Sequence, residues 1–244
     1  MSVKSKMKYL KWILFFAITF STTQMNAQEN ITNNQGLNAQ QQSLVIISAL
    51  TASGNLAQLK VQLSNGLDSG LSINEIKEAL VQLYAYCGFP RSLNALGVFQ
   101  KVLEERKATG INDKEGKQII VENNVADKYE QGRKVLEVLT KTPQSKPAPG
   151  FGEFAPRIDA FLKEHLFADV FSSDVLSFQQ RELVTITALA TMTGLESQAQ
   201  FHIGVGKNTG ITETQLTELA QLIETYINKT QADTVRKFIG ASIH

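Results

Sequence analysis

The sequence predicts an all-α fold built from one helical unit used twice. Three observations carry that prediction. Apolar residues recur at helical spacing from Leu37 onward, as in Leu44, Ile47 and Leu50. A shift of 140 residues aligns a stretch of the N-terminal half with the C-terminal half without a gap. No segment of useful length alternates with strand period. Ile119-Ile120-Val121 is the best candidate, and it is short.

Each element has its own signal. A first helix runs from Leu37, with Val45 and Ile46 widening its apolar stripe, and Gly54 breaks it. A second spans Leu56 to Asp68, with Gly70 as its left-handed cap. Ser72-Ile73-Asn74-Glu75 is a capping box opening a third helix that reaches about Tyr86. Cys87-Gly88-Phe89-Pro90 reads as a turn, with Pro90 starting a fourth helix through about Glu105. Lys107 to Asn124 is polar and reads as a linker, and Ala126 to Thr140 as a helix. Thr142 to Gly152 holds three prolines and two glycines and reads as a turn-rich connection. Pro156 to Val170 is a further helix, with Phe161, Leu162, Leu166 and Phe167 apolar.

The 140-residue shift then repeats the first unit position by position. Ile46 meets Ile186, Thr51 meets Thr191, and Gly54 meets Gly194. Gly66 meets Gly206, Gly70 meets Gly210, Glu78 meets Glu218 and Tyr86 meets Tyr226. The capping box returns as Thr212-Glu213-Thr214-Gln215. The expected organisation is a leader over 1–27, a spacer over 28–36 and a first unit over 37–106. A linker over 107–125 and a second unit with its entry helices over 126–244 complete it.

The leader rests on Lys4, Lys6, Lys8 and Lys11 before the apolar run Trp12 to Phe20, with a small residue at Ala27 for cleavage. That run is too short to span a bilayer, which takes about 20 residues. Export to the periplasm or exterior is expected, with no membrane attachment after cleavage. Without those lysines the chain is mildly acidic and holds no basic cluster dense enough for nucleic acid. Cys87 is the only cysteine, so no internal disulfide forms and packing must supply the stability. His165, His202 and His244 are far apart and show no ligand spacing, so neither a metal nor another cofactor is expected. Lys163 and Glu164 flank His165 and mark it as a surface residue.

The two copies differ where chemistry is concerned. Copy two has Glu182 near the start of its first helix and His202 inside its second, where copy one has Gln42 and Gln62. Glu182 shares a stripe with Ile186 and Leu189, and His202 one with Gln198 and Val205. On adjacent antiparallel helices the carboxylate would orient the imidazole, and His202 would move a proton near neutral pH. The structural alternative is a first-turn Glu favoured by the helix dipole and a hydrogen-bonded core His.

The run Gln180-Arg181-Glu182-Leu183-Val184-Thr185-Ile186-Thr187-Ala188-Leu189, followed by Gly194, His202 and Gly206-x-x-x-Gly210-Ile211-Thr212, resembles the carboxymuconolactone decarboxylases. So does Glu78 to Ala95 in copy one, through Tyr84-Ala85-Tyr86-Cys87-Gly88-Phe89-Pro90-Arg91. The resemblance implies two tandem units of the all-helical fold shared with alkylhydroperoxidase D, in a trimer-like homo-oligomer. It also implies a small carboxylic acid or lactone as substrate. Two departures stand out. The Cys-x-x-Cys pair that alkylhydroperoxidase D carries before its His is replaced by Gly194 to Phe201, with no thiol. The Gly-Phe-Pro turn survives only in copy one.

The expectation is a composite pocket. Copy two supplies Glu182, His202 and Gln198; copy one supplies the wall around Tyr84, Arg91 and Asn94, with Arg91 suited to a carboxylate. Three functions remain open: a lactone-decarboxylase-like enzyme, a peroxide- or thiol-handling protein using Cys87 alone, and a non-catalytic oligomeric binding protein.

Overall fold

The computed structural model describes residues 35–120 and 123–240. The expected leader, most of the spacer, Val121 and His244 lie outside the described residues. Among those described, every regular element is a helix, and none is long and apolar enough to cross a membrane.

Copy one opens with α1 (Ala39–Ser53), whose N-cap Asn38 accepts from the Gln41 amide in a capping box. It continues with α2 (Leu56–Asp68) and α3 (Ile73–Gln82), the latter started by the expected Ser72/Glu75 box. Next comes α4 (Tyr84–Ala108), broken at Gly88, where φ is 82° and ψ 155°. The chain kinks there at a positive φ that a side-chain-bearing residue resists, and Pro90 opens the long helical part that follows. The expected turn therefore falls inside what is otherwise a continuous helical run.

The entry segment of copy two is α5 (Lys128–Thr140), the short α6 (Phe151–Phe154) and α7 (Pro156–Ala160). From Phe161 to Val170 the helix continues in π geometry, where an α-helix was expected throughout. This segment lies against α5 at close approach. A Cβ on Gly132 of α5 would stand 1.7 Å from the Lys163 carbonyl oxygen, so only glycine lets the two backbones touch. The repeat then runs α8 (Phe178–Thr191), α9 (Glu196–Asn208), α10 (Glu213–Tyr226) and α11 (Lys229–Ile239). The starts of α9 and α10 stand 140 residues after those of α2 and α3, as the shift predicts.

The copies do not keep separate cores. Helices α1 and α8 pack on each other at the centre, and every residue from Arg181 to Thr191 is buried. Val184 and Ala188 of α8 join the core of copy one, while Val45 of α1 joins that of copy two. A third cluster joins Leu136 and Leu139 of α5, Leu166, Phe167 and Val170 of the π segment, and Val205 of α9. This last packing sets the entry segment against α9 and frames the cavity described next. The part of the expected linker around Lys114 and Glu115 is tied to copy one. Its Lys114 and Glu115 carbonyls accept from the Ile73 and Asn74 amides at the start of α3.

Candidate functional site

Burial of the whole of α8 forces its polar side chains to find partners inside the protein. Arg181, fully buried, donates to Glu78 Oε2 at 2.8 Å, Gln82 Oε1 at 3.0 Å and the Ser173 carbonyl at 3.0 Å. Gln82 returns hydrogen bonds to the Arg181 carbonyl and Thr185 Oγ1, both at 2.9 Å. Glu182, the next residue, points at α9. Its Oε2 lies 2.8 Å from Nδ1 of His202, and both side chains are buried.

That contact fixes the imidazole. With Nδ1–H donating to the carboxylate, Nε2 is the nitrogen left to act, and no hydrogen bond to it occurs among the described residues. His202 lines a cavity of about 510 Å³ whose walls come from α5, the 141–155 connection, the π segment and α9. Leu136, Leu162, Leu166, Phe167, Phe151 and Phe201 make most of its surface apolar. Phe201 stands edge-on to His202 with ring centroids 5.3 Å apart.

Copy one enters this cavity through Tyr86, whose ring meets His202 edge-on at 5.6 Å. Its hydroxyl is sealed from solvent and makes no well-formed hydrogen bond. Burial and the neighbouring Glu182 charge push its pKa far up, against smaller opposing effects of Thr185 and Arg181, so it stays a neutral phenol.

The expected residues divide as follows. His202 and Gln198 line this cavity, Gln198 at its exposed rim, while Glu182 stands behind His202 and does not itself line it. Tyr84 lines a neighbouring cavity of about 800 Å³ with His165, stacked on Phe89 at 4.6 Å. The two cavities share Phe151, Leu162 and Leu166 as a dividing wall. Half-buried Arg91 and exposed Asn94 line neither cavity. Arg91 lies instead beside Cys87, because Gly88 turns the chain and carries α4 away. The Cys87 thiol donates to the Leu83 carbonyl at 3.1 Å. Burial pushes its pKa up, against the smaller opposing pull of the Arg91 charge, so the thiolate is disfavoured.

Two groups of the cavity escaped the sequence reading, Tyr86 and Lys163. Lys163, taken as a solvated flank of His165, is fully buried and lines the His202 cavity, whereas His165 itself is exposed and pairs with Asp169 at 3.2 Å. Lys163 Nζ donates to Asp159 Oδ1 at 2.7 Å, Tyr129 Oη at 3.0 Å and the Ser145 carbonyl at 3.2 Å. The Tyr129 hydroxyl in turn donates to Asp159 Oδ2. Burial works to raise the Asp159 pKa, but hydrogen bonds from Lys163 and Tyr129 outweigh it and hold the carboxyl below its usual range. The signal was present in the sequence. Lys163 is in phase with Leu166, Phe167 and Val170, and Asp159 stands one turn before it.

A duplicated all-α protein with a buried carboxylate–imidazole pair at an apolar cavity is the class that this fold and site define. The chain belongs to the Carboxymuconolactone decarboxylase family, whose model matches residues 20–101 and 156–239. This membership sets it in the alkylhydroperoxidase D-like superfamily. A relative in Paracoccus denitrificans, described as "Uncharacterized 15.0 kDa protein in nqo9-nqo10 intergenic region", is 35% identical over 75 residues. The aligned stretch covers 30% of this chain and 56% of that protein.

Proposed function

We propose that the protein is an enzyme that transfers a proton to or from carbon in a small carboxylic acid or lactone. Carboxy-lyase chemistry is the reaction that suits the family best. The observation that carries this reading is the 2.8 Å contact of Glu182 with Nδ1 of His202, whose ring lines a mostly apolar cavity. In the imidazolium form both ring nitrogens carry protons. Nδ1–H stays on Glu182, and Nε2–H is free to protonate the carbon of an enolate left when CO₂ departs. Glu182 stabilises that charge and keeps the ring oriented; the apolar walls exclude water from the carbanion.

The peroxide or thiol alternative loses support at Cys87, whose environment favours the thiol. Export and a trimer-like assembly, expected from the leader and the resemblance, belong to the same proposal. The test is a screen of small carboxylic acids and lactones for CO₂ release. Turnover should fall by about a thousandfold or more in His202→Gln, the residue type copy one carries at Gln62. It should fall less in Glu182→Gln, which keeps a hydrogen-bond partner for the ring. Undiminished turnover in His202→Gln would remove His202 from the chemistry.

A further inference from the structure

The substrate class of this cavity follows from how its charges are spent. Lys163 is the one Lys or Arg among the described residues lining it. An ammonium has three N–H donors, and all three are in use, on Asp159, Tyr129 and the Ser145 carbonyl. The Asp159 carboxylate, 1% exposed, lies on the same wall and neutralises it. The cation that would have met an anionic substrate is thereby masked. His202 has an unused nitrogen turned away from Glu182, and beside it at the rim are the Gln198 amide and the Ser197 hydroxyl. Between the two polar ends the lining is apolar (Leu136, Leu162, Leu166, Phe151, Phe167 and Phe201) except for Gln144, whose amide nitrogen is already committed to Thr140 and the Thr142 carbonyl.

We infer that the cavity takes an aromatic or alicyclic ligand bearing a single anionic group, seated at His202, and that the Asp159–Lys163 pair excludes substrates with a second one. A second carboxylate on such a ligand would face aliphatic walls or the Asp159 carboxylate. Either loses its hydration with no compensating partner. The inference deepens the proton-transfer reading and rests on it for the position of the head group. Its substrates differ from compact polyacids, which need several unmasked cations.

The test is binding, measured by titration calorimetry on the purified protein. The probes are hydrocinnamate (one carboxylate), para-carboxyhydrocinnamate (two) and hydrocinnamamide (none). Hydrocinnamate should bind at least about tenfold more tightly than the dianion, given the cost of burying an unpaired carboxylate. Equal or tighter binding of the dianion, or no binding of either the monoacid or the amide, would overturn the inference. Phe201→Gln, at a half-exposed wall position, should weaken hydrocinnamate; unchanged affinity would put the ligand elsewhere and overturn it too. Asp159→Asn unmasks Lys163 and should narrow the gap between monoacid and diacid by about tenfold. A folded Asp159→Asn that discriminates as before would refute the masking role, and the wild-type comparison stands whether or not that variant folds. Retained discrimination with no CO₂ release from any substrate would count against the proton-transfer reading alone.

Discussion

Lys163 shows how one buried charge can be held. Its ammonium and the Asp159 carboxylate are both out of solvent; Lys163 donates to Asp159, Tyr129 and the Ser145 carbonyl, and Asp159 accepts from Lys163 and the Tyr129 hydroxyl. Removing one partner leaves the other charged and stranded, so Lys163→Met should cost about 3–5 kcal/mol in urea unfolding. The double change Asp159→Asn with Lys163→Met should recover much of that loss, because it removes both charges together. If the double variant is as unstable as the single, the cost lies in packing and not in charge. The folded pKa of Asp159 is depressed, so its pairing contributes in full above the unfolded value of about 4. That contribution fades as pH falls through the lower folded value. At this scale the sequence pointed to Glu182 and His202 as a pair because copy one has Gln42 and Gln62 at the matching places and because the run around them resembles the family; pattern alone left a first-turn Glu and a core His as the simpler reading. Lys163 stayed hidden because a lysine on a helix is ordinarily solvated; only the phase of Leu166, Phe167 and Val170 and the Asp159 one turn earlier give it away. Tyr86 stayed hidden for another reason. Tyr84 and Tyr86 both precede the Gly88 break, and no periodicity in the sequence says which one faces copy two.

At the scale of elements, the segment Phe161–Val170 does the most for the site. It carries Lys163, Leu162, Leu166 and Phe167 into the first cavity and Phe161 and His165 into the second. Capping boxes and apolar spacing made helix starts readable, and Ser72 and Thr212 cap as the sequence predicts. The π geometry was not readable, because apolar spacing does not distinguish π from α geometry over so short a segment. Gly132 is where α5 comes close to this segment, since a methyl group there would overlap the Lys163 carbonyl at 1.7 Å. Gly132→Ala should therefore destabilise the protein by about 3 kcal/mol or more, read by thermal or urea unfolding. It should also impair the His202 cavity, since the carbonyl that must move belongs to Lys163. Gly97 in α4 is the contrast, with a helical conformation and open space where a Cβ would go. Gly97→Ala should raise stability by about 0.5–1 kcal/mol through backbone entropy and helix propensity. A pair of melting curves that moved in the same direction would contradict this account of why each glycine is there.

The molecule as a whole uses duplication to build one asymmetric protein. The 140-residue shift disclosed the two copies, but likeness between segments carries no information about which helices touch. The structure joins them through α1 and α8, with Val45 and Val184 each packed in the other copy's core. It also joins them through a charge. Arg181 of copy two is fully buried and holds Glu78 of copy one at 2.8 Å, and it is the residue next to Glu182. Glu218, the counterpart of Glu78, instead accepts from the Leu37 amide at 2.7 Å, so the same position does two jobs in the two halves. Burial opposes the charge on Arg181, and Glu78 offsets that opposition. Arg181→Met strips Glu78 of its partner inside the shared interior and should lower stability by about 3–5 kcal/mol. Because the cores interpenetrate, that loss should appear as one earlier cooperative transition, the same by circular dichroism and by tyrosine fluorescence. Two separate transitions, with only the second copy melting early, would mean that the halves are independent and that the Arg181–Glu78 contact does not unite them. Arg181 also precedes Glu182 on the same helical turn, so the variant should reduce CO₂ release even at temperatures where it is fully folded. An undisturbed rate in the folded variant would separate the joint between the copies from the site that it supports.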